Sequence, residues 1–287
     1  MATKTKLKKL FKTALKGVIT LWALYYVFAH IDRANLLQTL KIADISWLIA
    51  AFVAFNASKI ASAIRLNYYF GAIGITLSQM VNLSLYYLGM FYNLFLPGGI
   101  GGDGYKAYLL EKRYGVGYKR LIAALLLDRI SGMVALLFFA GVLFFYSHFV
   151  ALYGFLPPLV ALGILLTLPL NYLLTRKFFP NFMGVFGITT LYAFVVQLLQ
   201  LISALCIIWA LPIDTIYTID YLTLFLISSI VAVLPISIGG IGVRELTFLY
   251  GFALIGGDTT MAVTFSLLFF LITAISSLMG VFMSIDW

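Results

Sequence analysis

Six ionisable residues of this chain stand inside or beside apolar segments: Lys106, Arg129 and Arg244, with Asp103, Asp128 and Glu245. A charge at the centre of a bilayer costs roughly 2.5–3.5 kcal/mol on insertion scales, so such residues serve a task or are held in pairs. Three cations and three acids in an apolar setting can form a ring in which the cations hold an anionic headgroup while the acids balance charge or bind a proton. The competing reading is a set of staples, Asp128 with Arg244 and Arg129 with Glu245, that tie segments together. Buried pairs contribute little net stability, which favours the site reading. As neighbours on a helix, Asp128 and Arg129 point about 100° apart, so each needs a partner on another segment. They follow Lys119 by about nine residues, roughly 13 Å into a span and near its middle.

Two of the cations end a repeated motif. Residues 96 to 106 read Leu-Pro-Gly-Gly-Ile-Gly-Gly-Asp-Gly-Tyr-Lys and residues 234 to 244 read Leu-Pro-Ile-Ser-Ile-Gly-Gly-Ile-Gly-Val-Arg. The shared pattern holds the helix-breaking prolines Pro97 and Pro235, the glycine sets Gly101, Gly102, Gly104 and Gly239, Gly240, Gly242, and the cations Lys106 and Arg244. Proline removes a backbone donor and glycine admits dihedrals closed to other residues, so a helix running into either copy breaks there. Paired broken segments in two halves of a membrane chain point to a binding site near the midplane. A helix beginning after the last glycine offers free backbone donors and a positive dipole end, which suit a phosphate. Alternatively, Asp103 and Glu245 are an N-cap and a first-turn acid favoured by the same dipole.

The elements that carry these residues are membrane helices. With 63% hydrophobic residues, 10% charged and a mean hydropathy of +1.06, the chain reads as an all-α polytopic membrane protein. Apolar runs place full spans near 17 to 30, 45 to 65, 119 to 146, 155 to 175, 185 to 210 and 259 to 283, six in all. The broken segments, about 79 to 114 and 220 to 256, read as two opposed re-entrant hairpins. Residues 1 to 16 form a basic cytoplasmic amino terminus, with Lys4, Lys6, Lys8, Lys9, Lys12 and Lys16, ahead of a single transmembrane domain over 17 to 287. Further positive charge at Arg65, Lys112, Arg113, Lys119, Arg120, Arg176 and Lys177 falls in stretches predicted to be cytoplasmic, whereas the predicted outer loops hold Asp32, Arg33, Lys41 and Asp44, then Asp214 and Asp220, then Asp258. The first hairpin then opens to the cytoplasm and the second to the outside, in a multi-pass protein of the cell (inner or plasma) membrane.

The net charge of +9 belongs largely to that topological flank and not to a nucleic-acid surface. Cys206 is the only cysteine, which precludes an internal disulfide, and His30 and His148 lack ligand-spaced partners, so neither metal nor cofactor is expected. No nucleotide-phosphate motif or Ser-His pair suggests catalysis, and the chain is expected to be no enzyme. Lys59 reads as a snorkelling cation, and Asn56, Asn82, Asn93 and Gln197 as interhelical hydrogen-bonding groups.

Leu-Pro-Gly-Gly-Ile-Gly-Gly-Asp at 96 to 103 with Lys106, Leu-Leu-Asp-Arg at 126 to 129, and Pro-Ile-Ser-Ile-Gly-Gly-Ile-Gly-Val-Arg-Glu at 235 to 245 together resemble the lysylphosphatidylglycerol synthase transmembrane family. The resemblance runs over nearly the whole chain, in the family's motif order. It implies the flippase-like module of the multiple peptide resistance factor, which moves aminoacylated phospholipid between leaflets, while a separate soluble domain makes that lipid from aminoacyl-tRNA. The sequence leaves no room for such a transferase, so translocation is implied and synthesis is not. Carried over by motif, the positions of interest are Pro97, Gly101, Gly102, Asp103, Asp128, Arg129, Gly239, Gly240, Arg244 and Glu245. Aminoacylated phospholipid and polyprenyl-phosphate glycolipid both remain open as substrates. The expected partners are membrane lipids, with a lipid-modifying transferase and self-association left open and no nucleic acid. The alternative role is a noncatalytic partner or regulator of such a transferase.

Overall fold

A computed structural model describes residues 41, 43–95, 101–233, 242–283 and 285. The basic amino terminus, the expected span at 17 to 30, and Pro97, Pro235, Gly239 and Gly240 lie outside the described residues. Within them, all regular structure is helical. The α-helices are α1 (Ile45–Gly71), α2 (Gln79–Phe95), α3 (Gly101–Tyr114), α4 (Tyr118–Phe144), α5 (Leu156–Phe178), α6 (Phe186–Ala210), α7 (Thr218–Val233), α8 (Val243–Leu254) and α9 (Thr259–Leu278). Capping sets several of the starts. Asp44 accepts from the Ser46 amide at 2.8 Å ahead of α1, and Asp258 accepts from Thr260 and Met261 at 2.8 and 3.0 Å ahead of α9.

Six helical segments among the described residues are long and apolar enough to cross a membrane: Ile45–Gly71, Tyr118–Phe144, Leu156–Phe178, Pro180–Ala210, Thr215–Val233 and Thr259–Phe282. Five match the expected spans. The sixth, Thr215–Val233, is the first arm of the second broken segment, and it reaches span length by adding a 3-10 turn at Thr215–Tyr217. The α1 span is longer than its expected 45 to 65. It runs to Gly71, and Gly74, at φ +85°, turns the chain away three residues later.

The bundle is built on an antiparallel pair. The Asp44 amide donates to the Ala210 carbonyl at 2.9 Å, Ser203 Oγ to the Ala51 carbonyl at 2.8 Å, and the Tyr68 and Tyr192 rings lie 5.9 Å apart, so α1 and α6 run against each other along their lengths. Their two ends define the ends of the bundle, each with its own core. Leu66, Phe70, Leu85, Leu110, Leu121 and Phe182 pack at one end; Phe55, Phe144, Ile207, Tyr221, Phe252 and Phe265 pack toward the other.

Each broken segment gives two arms packed on each other. Arms α2 and α3 pack closely because Gly102 lies directly on the Gly89 carbonyl, where a Cβ would overlap it. Tyr114 Oη reaches the Thr76 carbonyl at 3.3 Å, so the pair leaves from and returns to the first end. Arms α7 and α8 are set by Gly251 against Leu224 and by the Tyr221 and Phe252 rings at 4.3 Å, and they leave from and return to the second end. At 1.5 Å per residue, α3 and α8 are about 21 and 18 Å long, short of the roughly 30 Å hydrocarbon core. Helix α5 stands outermost, with Leu159, Leu162, Leu165, Leu170 and Leu173 exposed, an outward face that suits acyl chains.

Candidate functional site

The charged residues gather around α4. Asp128 is buried there and accepts from Arg65 Nε on α1 at 2.8 Å; Arg129, one residue on, turns to Asp103 on α3. The expectation that the two neighbours find partners on different segments holds. The pairings Asp128 with Arg244 and Arg129 with Glu245 do not. Asp103 lies in the first turn of α3, where the helix dipole favours an acid, and its two oxygens take one cation each, Lys106 on Oδ1 at 2.7 Å and Arg129 on Oδ2. Lys106 is buried, with its Nζ 5.1 Å from the Tyr86 ring, and Gly89 leaves room for its stem, since a Cβ there would stand 2.9 Å from Lys106 Cε.

Arg65 is the residue that sequence reasoning missed. Read as a cytoplasmic flank, it is only 5% exposed within α1, and besides the bond from Nε to Asp128 its Nη1 is buried with no hydrogen-bond partner. A signal was present in the sequence: Ser58, Ser62, Arg65 and Tyr69 recur at helical spacing and form a buried polar stripe on an otherwise apolar helix.

Arg65, Asp103, Lys106, Asp128 and Arg129 line one cavity of about 200 Å³, closed by residues of α2, α6 and α7 that include Tyr86, Asn93, Gln197 and Val233. Among the described residues three cations face two carboxylates there, one positive charge in excess. On α4 the cavity takes the stripe Arg129, Gly132, Met133 and Leu136. The adjacent stripe, Ile130, Val134, Leu137 and Gly141, faces an apolar groove of about 560 Å³ against α5. One helix thus carries a polar cavity and an apolar groove side by side.

The second motif stands apart from this cavity. Glu245 is buried; its Oε2 accepts from the Gly242 amide at 2.7 Å and its Oε1 from Ser266 Oγ on α9 at 3.1 Å. It is therefore a first-turn acid reaching back to the start of α8. Arg244 lies 3.5 Å from Ser229 Oγ and 5.5 Å over the Phe269 ring, and it does not line the cavity. A single ring of all six charges is not what the structure forms. Lys59, on α1, lies over the Phe55 ring at 4.3 Å and is not among the residues that line the cavity.

The glycines divide by role. Gly102 is required by close helix packing and its amide donates to Asn93 Oδ1 at 2.8 Å; Gly242, at φ +82°, sits in a conformation that other residues enter at a cost, and its amide serves Glu245. Both amides are therefore committed inside the protein and not free to hold a phosphate. Gly101 opens α3, and Gly104 has open space around it. Two further expectations change. Asp220 is no outer-loop acid: it is buried in the first turn of α7 and accepts from the His148 amide at 2.8 Å and contacts His148 Nδ1 at 2.7 Å, which gives His148 a carboxylate partner. Asn56 and Asn82 do bond between helices, through their amide nitrogens to Ser276 Oγ and the Ala63 carbonyl, whereas Gln197 Oε1, like Asn82 Oδ1, is buried without a partner.

Comparison with known proteins agrees with the family resemblance. The UPF0104 membrane protein PH1989 of Pyrococcus horikoshii is 25% identical over 131 residues, which cover 45% of this chain and 38% of that protein. The chain thus matches well under half the length of this curated relative. The family described as Lysylphosphatidylglycerol synthase TM region matches residues 13–280. With its membrane-spanning helices and a match over nearly its full length, this multi-pass membrane protein belongs to the Lysylphosphatidylglycerol synthase TM region family.

Proposed function

We propose that this protein translocates a lipid with a phosphate-bearing headgroup, which rests in the cavity lined by Arg65, Lys106 and Arg129 while its chains remain on the apolar side of α4. The observation that carries this reading is the cavity itself, in which three cations meet two acids within a bundle of apolar helices. An excess cation among apolar helices asks for an anion. The apolar groove beside it on α4 supports an amphipathic ligand, because a headgroup and an acyl chain then share one helix. In this reading α2–α3 and α7–α8 are re-entrant hairpins that approach from opposite faces of the cell membrane, the amino terminus is cytoplasmic, and the protein acts as a carrier and not as an enzyme.

The test is translocation in proteoliposomes that hold fluorescent phosphatidylglycerol, read by quenching of the outer leaflet. The protein should speed exchange between leaflets over protein-free vesicles, and Arg129→Gln should remove most of the gain while leaving the folded fraction in detergent intact. Exchange no faster than in protein-free vesicles would refute the carrier reading; loss of a neighbouring transferase's activity on deletion would then favour the regulatory alternative.

A further inference from the structure

The cavity holds two polar atoms with no partner, one donor and one acceptor. Arg65 Nη1 and Gln197 Oε1 are both buried, both belong to residues that line the cavity, and neither makes a hydrogen bond. Buried polar atoms left unpaired are costly, and natural sites keep them for a ligand. Arg65 is also held in place: its Nε is fixed on Asp128, and its terminal nitrogens pack over Gly132, 3.6 Å from where a Cβ would stand. A guanidinium edge fits a phosphate oxygen, and an amide oxygen fits a hydroxyl. The carboxylates, by contrast, are already engaged. Asp103 takes a cation on each oxygen and Asp128 takes Arg65 on Oδ1, so each acid already has a cation before an ammonium arrives.

We infer that the cavity selects an anionic phosphodiester headgroup that bears hydroxyls, with Arg65 on the phosphate and Gln197 on a hydroxyl, and that it discriminates against an aminoacylated headgroup. The inference rests on the carrier reading for its lipid. The single excess positive charge matches the single negative charge of a phosphodiester. A lysyl ester adds two ammonium groups to one phosphate, making the headgroup net cationic and bringing like charge into a site of low dielectric.

Binding to the purified full chain in detergent micelles tests the selection without any transport step. The probes are dihexanoyl phosphatidylglycerol, dihexanoyl phosphatidylmethanol, which keeps the phosphodiester and lacks hydroxyls, the lysyl ester of the first, and soluble glycerophosphoglycerol. Phosphatidylglycerol should bind tightest and its lysyl ester at least tenfold weaker. Arg65→Lys keeps the ion pair with Asp128 but loses the planar fork, and should weaken binding of both phosphatidylglycerol and phosphatidylmethanol by about ten- to a hundred-fold, the value of a charge-assisted hydrogen bond. Gln197→Leu should abolish the preference for phosphatidylglycerol over phosphatidylmethanol. Equal affinity for the lysyl ester, or unchanged affinity in Arg65→Lys, overturns the inference. Glycerophosphoglycerol binding as tightly as the lipid would assign the site to a soluble phosphodiester and overturn its lipid part. A carrier that moves lysyl lipid as fast as phosphatidylglycerol would leave the proposed function standing and remove this selection, whereas selective binding without transport would do the reverse.

Discussion

Removing Arg65 should destabilise the protein far more than removing Arg65 and Asp128 together. The guanidinium Nε and carboxylate Oδ1 are 2.8 Å apart with side chains only 6% and 12% exposed. With charge centres about 4 Å apart and an effective dielectric near 20, the attraction is roughly 4 kcal/mol. Arg65→Met strips Asp128 of its counter-ion and leaves a carboxylate buried, a change that typically costs about 3–5 kcal/mol. The double variant Arg65→Met with Asp128→Leu leaves two apolar side chains of similar bulk, and replacements of this kind are neutral or stabilising by about 1–4 kcal/mol. Thermal unfolding in detergent, supported by SDS titration, reads the difference. At about 2–4 °C per kcal/mol, the single variant should lose on the order of 10 °C and the double variant should recover most of it. The coupling between Arg65 and Asp128 should also exceed that between Arg244 and Asp128. A drop below about 2 °C in Arg65→Met, or losses in the two single variants that simply add, would refute the pairing.

Within the first motif, Gly102→Ala should destabilise by about 1–3 kcal/mol, because a Cβ would meet the Gly89 carbonyl and force α2 and α3 apart. Gly104→Ala, in open space, should be tolerated or should stabilise by about 0.5–1 kcal/mol; thermal melts of the two side by side decide. Glu245→Ala leaves the Gly242 amide and Ser266 without their acceptor, and should cost about 1–3 kcal/mol in the same melts; no measurable shift would argue against its capping role. In a Cys206→Ser background, Thr215→Cys should react with an impermeant reagent on intact cells while Arg113→Cys stays protected. The reverse pattern would invert the proposed orientation.

The spans were legible because apolar runs long enough to cross a bilayer are a strong signal, and the depth of Asp128 and Arg129 followed from counting along one helix. What those residues touch was not legible. Arg65 and Asp128 are 63 residues apart in sequence, and nothing local selects that pair over Arg244. The span containing Arg65 was ended too soon, since polar and aromatic residues at Asn67, Tyr68 and Tyr69 lower its hydropathy while the helix continues to Gly71. A buried guanidinium was thereby taken for a solvated flank. The repeat of the glycine motif suggested two equivalent halves of one ring, yet the surroundings of the copies differ. Lys106 finds Asp103 three residues away, and the matching position before Arg244 is Ile241, so the second motif has no internal acid to recruit its cation. Glycine roles, likewise, depend on what lies opposite: Gly102 and Gly104 look alike in sequence and differ entirely in what surrounds them.

Carriage of lipid requires a headgroup to enter the cavity beside Arg129. A photoactivatable amino acid in place of Met133, which lines that cavity, can be crosslinked in native membranes and the captured mass read by mass spectrometry. The same residue at Leu165, on the exposed face of α5, reports ordinary lipid contact. Met133 should capture phosphate-bearing lipid, and Arg129→Gln or Arg65→Lys should remove the capture there without affecting Leu165. Crosslinking at Leu165 with none at Met133, or capture at Met133 indifferent to both cations, would contradict headgroup entry.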